Sequence, residues 1–150
     1  MNAKNYALWL LGRRAYSEKR LRDKLRFKKY DATDIEPVVK FCLDYKFLDD
    51  LEYAKSFIRT RLALRPRGAR VLTLELRKRG IAQDNIEMAL ADNEALGDET
   101  ELIRRLVGQK KKQYAGLGAR VARQRLFGFL ARRGFSLSKI KEVLDEDAQN

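Results

Sequence analysis

Leu72-Thr73-Leu74-Glu75-Leu76-Arg77-Lys78-Arg79-Gly80-Ile81, followed by Ile86 and Leu90, is the stretch that decides the fold. Leucines four apart share one face of a helix. Gly80 can adopt the left-handed conformation that ends a helix without a Cβ clash. Leu76 and Ile81 are then the apolar pair that closes a Schellman turn. A second apolar run begins a few residues later, so the stretch reads helix, sharp turn, helix.

The same pattern lies 51 positions earlier as Leu21, Leu25, Lys29-Tyr30, Ile35 and Val39, and 54 positions later as Leu126, Leu130, Gly134-Phe135, Ile140 and Leu144. Self-similarity at a fixed period is the mark of a repeat architecture. The spacing predicts an all-α protein of three tandem three-helix repeats, about nine helices, in an elongated, curved array. The repeats are expected over residues 1–49, 50–97 and 98–150. Lys29 stands where the other two copies have Gly, so the first turn is expected to carry some steric strain.

Between the copies, Tyr6, Ala7, Leu10 and Leu11 mark a first helix over residues 3–14. Trp9 lies off that stripe and is expected to pack against the neighbouring helix rather than to stack on a base. Ser17 is placed as an N-cap. Asp31 or Thr33 is placed as the cap of the third helix, Thr33 with Glu36 fits a capping box, and Pro37 predicts a late start or a bend in that helix. Cys42, in step with Ile35, Val38 and Val39, is expected to be buried. Asp49 and Glu52 have capping spacing. Ala82, where the other copies have Asp31 and Ser136, predicts the weakest helix start of the three, by about 1 kcal/mol. Gly97-Asp98 marks a joint, Gly116 and Gly118 a turn, and the acidic tail after Lys141 is expected to fray.

The chain has 150 residues, with 33 Lys and Arg against 21 Asp and Glu, a net charge of +12 and a pI near 10.0. That balance points to a polyanion such as nucleic acid, or to an acidic protein surface. The cations cluster. Arg13 to Lys29 holds nine against two acids, Arg59 to Arg79 eight against one, and Arg104 to Arg125 eight against none. Regular stacking of the units would align them as a basic stripe. Nothing in the sequence reads bases, so the expected binding is salt-sensitive and of low sequence specificity.

No histidine is present, Cys42 is expected to be buried, and no phosphate loop occurs. An enzyme is therefore not expected, nor a cofactor or metal. No run approaches the length of a membrane span, no secretory signal opens the chain, and one cysteine suits a reducing cytoplasm.

Several segments resemble the RecX family, regulators of the bacterial recombinase RecA. Arg13-Arg14-x-Tyr16-Ser17-Glu18 with Leu21 and Lys24-Leu25 is similar to the family's opening. Phe47-Leu48-Asp49-Asp50-x-x-Tyr53-Ala54 is similar to its most recognisable junction. Arg67-Gly68, Leu72, Glu75-Leu76 and Arg79-Gly80-Ile81 resemble the central unit, and Leu130-Ala131-Arg132-Arg133-Gly134-Phe135 the last. Leu64-Arg65-Pro66-Arg67-Gly68 departs from the family's Gly-x-Gly-Pro turn.

The resemblance implies a protein that lies in the groove of the RecA–single-stranded DNA filament, and a monomer is expected. There it restrains ATP hydrolysis, filament extension and strand exchange in recombination and DNA repair. Single-stranded DNA is the expected nucleic acid, with double-stranded DNA as an extension, and no membrane is involved. Charge and repeat register place Arg13, Arg14, Lys24, Arg26 and Lys28 on the contact surface from the first unit. The second adds Arg65, Arg67, Arg70, Arg77 and Arg79, and the third Arg132 and Arg133. The competing reading is a free-standing helix-turn-helix-like DNA- or RNA-binding protein that acts without a recombinase.

Overall fold

The computed structural model describes residues 1–93 and 98–149. Among these, nine α-helices and no strands occur: α1 (Ala3–Arg13), α2 (Glu18–Phe27), α3 (Ala32–Asp44), α4 (Asp50–Leu64), α5 (Ala69–Lys78), α6 (Gln83–Ala91), α7 (Glu99–Lys110), α8 (Ala119–Arg132) and α9 (Leu137–Gln149). A 3-10 turn, Lys111–Tyr114, follows α7. The Gly97 joint lies outside the described residues.

All three repeat turns close as their spacing requires. Gly80 donates its N–H to Arg77 O (2.9 Å) and Ile81 to Leu76 O (3.1 Å). Gly134 and Phe135 do the same to Ala131 O (3.0 Å) and Leu130 O (3.3 Å). Both glycines have positive φ, 83° and 85°. Lys29 is forced to φ 68° to make the same pair of bonds, to Arg26 O and from Tyr30 to Leu25 O. This is the strain expected of a side chain in a left-handed position. A fourth such turn, unforeseen because it lies outside the repeat, ends α3: Lys46 has φ 62° and Phe47 bonds back to Cys42 O.

Contacts divide the chain into two compact units. One is Met1–Phe57 with Glu75–Ala89, and the other is Ile58–Leu74 with Leu90–Asn150. The helices α4, α5 and α6 therefore contribute residues to both. In the first unit Ala3, Ala7 and Leu10 of α1 meet Leu21 and Leu25 of α2 and Ile35, Val38, Val39 and Cys42 of α3. Cys42 is fully buried, and burial pushes its thiol pKa up. In the second unit Leu102, Ile103, Leu106 and Val107 of α7, Leu126 and Leu130 of α8, and Ile140, Val143 and Leu144 of α9 are buried, with Phe135 between α8 and α9.

Carboxylates at the starts of α4 and α7 reach over to cap neighbouring helices. Asp50 Oδ1 accepts the Glu18 N–H at the head of α2 (2.9 Å), and Glu99 Oε1 accepts the Ser136 N–H ahead of α9 (2.8 Å). Burial pushes the Asp50 pKa up, opposed by that hydrogen bond. Asp49 caps Glu52 as its spacing requires (3.2 Å).

Several local expectations are overturned. The Thr33–Glu36 box does not form: α3 begins at Ala32 behind Asp31, and Glu36 is taken by Arg22. Pro37 does not delay the start of α3, which begins at Ala32 and carries the proline within it at the loss of one donor. Asp31 makes no side-chain cap bond, so the deficit expected at Ala82 has no basis relative to α3. Trp9 is not packed away; it is 48% exposed, with Tyr6 stacked beside it. The acidic tail does not fray. Its carboxylates find the cations of α7, its 3-10 extension and α8: Glu146 takes both arms of Arg104 (2.9 and 3.0 Å), Asp145 takes Arg123 (2.7 Å) and Asp147 takes Lys111 (2.9 Å).

Candidate nucleic-acid interface

Each unit builds the same joint between the second helices of successive repeats. In the first unit Ser17, the N-cap of α2, accepts the Arg20 N–H (3.3 Å) and donates its hydroxyl to Arg79 O just past α5 (2.6 Å). Lys19 lies against Gly80, where an added β-carbon would come within 2.3 Å of its side chain. Position 68 is the repeat equivalent of 17, and 133 of 79. In the second unit Gly68 donates its N–H to Arg133 O (2.7 Å). A β-carbon on Gly68 would stand 2.2 Å from the Gly134 carbonyl oxygen, so only glycine fits. Arg70 adds a bond to Ala131 O (2.9 Å), drawing the end of α8 to the start of α5.

Both joints leave a basic notch. The first is a cleft of about 270 Å³ bordered by Arg14, Tyr16, Arg20, Lys24, Tyr53 and Arg79. The Arg79 guanidinium donates to Tyr53 Oη (2.9 Å) and lies 4.8 Å from the Phe57 ring centre, which fixes its plane. Arg14 lies 5.0 Å from the Tyr16 ring centre. The second cleft, about 500 Å³, is bordered by Arg65, Arg67, Val71, Lys110, Phe129, Arg132 and Arg133. Arg133 donates to Pro66 O (2.7 Å), and both Arg133 and Lys110 sit over Phe129, at 4.8 and 4.6 Å. Burial, then the charges of Arg65 and Arg67, push the Arg133 pKa down.

No carboxylate among the described residues borders either cleft. An anion relieves the mutual repulsion of crowded cations, and planar guanidiniums suit phosphate or carboxylate oxygens. Arg14 and Arg65 share one repeat position, as do Arg79 and Arg133, so the second notch repeats the first.

Of the residues expected from sequence, Arg14, Lys24 and Arg79 meet in the first notch, and Arg65, Arg67, Arg132 and Arg133 in the second. Others are engaged elsewhere. Arg13 lies over Trp9 (4.8 Å), Lys28 over Tyr6 (5.4 Å), and Arg26 reaches Asp23 (3.4 Å). Arg77 clamps Gln83 with two bonds (3.0 and 2.7 Å), and Arg70 serves the joint. Sequence reasoning missed Arg20, Lys110 and the aromatics beneath the cations. A signal existed: Tyr6 and Phe57 share a repeat position, and each sits under the cation at the matching position, Lys28 or Arg79.

Three family profiles match in chain order. They describe the first, second and third three-helix domains of RecX, over residues 3–42, 49–90 and 98–144. The chain belongs to the RecX family. A regulatory protein RecX from Vibrio campbellii is 35% identical, covering 98% of this chain and 94% of its own. One from Caldanaerobacter subterraneus is 33% identical, over 95% of this chain and 69% of the relative. The crystal structure of RecX from Lactobacillus salivarius superimposes with a TM-score of 0.86 at 26% identity, covering 96% of this chain and 93% of that one. A second RecX crystal structure gives 0.82 at 25% identity, over 95% and 70%. These relatives are named as regulatory proteins, and this chain is a regulator of the RecX kind.

Proposed function

We propose that this RecX-family chain acts as a cytoplasmic monomer that binds the RecA–single-stranded DNA filament in its helical groove. It lowers ATP hydrolysis, filament extension and strand exchange during recombination and repair. It performs no chemistry: a bound bridge that fits one filament state better than another shifts the equilibrium by that difference in affinity. The observation that carries this reading is the pair of arginine-lined notches in one repeat register. Such a pair suits a ligand that offers anionic groups repeatedly, as a nucleoprotein filament offers phosphates and acidic side chains.

The double variant Arg14→Glu/Arg65→Glu tests it, because both side chains are exposed. Inhibition of the RecA ATPase should weaken by about tenfold or more while helicity is retained, and the salt dependence of binding should become shallower. Unchanged inhibition would remove the notches from the interface. Affinity for bare single strands should fall below affinity for the same DNA coated with RecA and nucleotide. Equal or tighter binding to the bare strand would favour a free-standing nucleic-acid-binding protein.

A further inference from the structure

Trp9 should not be on the surface if packing alone had placed it. An indole is usually among the most buried side chains, yet this one is 48% exposed on α1. Its ring lies nearly parallel to that of Tyr6, with centres 5.9 Å apart and planes 20° apart, and Tyr6 in turn meets Tyr30 (6.0 Å). The Arg13 guanidinium lies over Trp9 and the Lys28 ammonium over Tyr6. Residues 1–17 contain no Asp or Glu, and no carboxylate among the described residues pairs with Arg13 or Lys28.

We propose that Trp9 and Tyr6 form a stacking platform for the unpaired bases of a single strand, with Arg13 and Lys28 holding the flanking phosphates. Aligned aromatic faces bordered by cations match a strand that alternates flat bases with phosphates. Arg13 already occupies a position over the indole face. A base entering there displaces the guanidinium toward the phosphate, or is sandwiched beneath it. Stacking reads a π face that every base has, so it adds affinity without sequence preference. It also discriminates against duplex, whose bases are already stacked. The proposal rests on the reading of this chain as a ligand of single-stranded DNA, and assigns the part of its surface that meets the bases.

Trp9 is the chain's one tryptophan, so its fluorescence reports on this platform alone. The full chain is titrated, without recombinase, with oligothymidylate, with an abasic strand of equal length, and with duplex. Oligothymidylate should quench Trp9, whereas the abasic strand should bind through its phosphates with little quenching, and duplex likewise. By anisotropy of labelled oligothymidylate, Trp9→Ala should weaken binding at least about fivefold, and Trp9→Phe should restore most of it. Affinity for the abasic strand should be unchanged by either substitution. Equal quenching by the abasic strand, or a Trp9→Ala variant that binds oligothymidylate like the parent, would overturn the platform. Because no filament is present, that result leaves filament inhibition to be judged separately. Conversely, stacking on bare strands with no effect on RecA would sink the filament reading alone.

Discussion

The two joints occupy the same repeat register and are closed by different means. In the first unit a side chain closes it: the Ser17 hydroxyl reaches Arg79 O, and the body of Lys19 fills the space beside Gly80. In the second, main chain meets main chain: Gly68 N–H binds Arg133 O with no room for a β-carbon. A flexible lysine can yield to a perturbation, whereas a carbonyl group held by a helix end cannot. The same topological contact is therefore tolerant in one unit and intolerant in the other.

The largest test of that difference is Gly68→Ala. The new methyl must push the ends of α5 and α8 apart and break the Gly68–Arg133 bond, costing about 3–5 kcal/mol, readable as a shift in denaturant midpoint. A loss below about 1 kcal/mol would show the second joint to be as compliant as the first. Ser17→Ala should cost less, about 2 kcal/mol. It removes a helix cap and strands the Arg79 carbonyl, yet nothing is forced to move. Should Ser17→Ala prove the costlier of the two, the ranking of the joints is reversed.

A smaller effect of opposite sign is expected at Lys29. Glycine there relieves the left-handed strain that Gly80 and Gly134 avoid, so Lys29→Gly should stabilise by roughly 0.5–1 kcal/mol. A destabilised variant would mean that the lysine side chain contributes more than its backbone strain costs.

The smallest effect is local to α9. Hydrogen bonds from Arg123 and then Lys141 hold the Asp145 pKa down, and Arg104 does the same for Glu146. Carboxylates whose folded pKa is depressed contribute stability above their unfolded value, near 4, and lose it as pH falls through the folded one. Amide protection along the last turn of α9, relative to intrinsic exchange at each pH, should therefore fall below about pH 4, while that of α8 changes little. Equal protection at pH 3 and pH 7 would show these exposed pairs to be energetically silent, as many are.

Much of the fold was legible because it rests on short-range chemistry. Leucines four apart, a glycine at a helix end and the apolar residue after it specify a helix and its stop within ten residues. The three turns accordingly form the bonds expected of them. Capping was less legible, because a donor at a helix start can be satisfied from a distant segment. Asp50 and Glu99 do this for Glu18 and Ser136, whereas the local box at Thr33 goes unused. The tail failed for a similar reason: its acids read as solvated until α7 and α8 bring arginines beside them.

The basic clusters were visible as charge, but which cations converge was not. Arg77 and Arg79 are two residues apart, yet one is tied to Gln83 and the other lines a notch. The sequence by itself determined the helical repeat, the left-handed turns and the excess of positive charge, since each follows from side-chain identity and local spacing. Only the tertiary structure decided which arginines face a common space and which aromatic rings lie beneath them. It also decided that Trp9 remains at the surface. Those outcomes depend on where separate helices place their ends, which no single helix encodes.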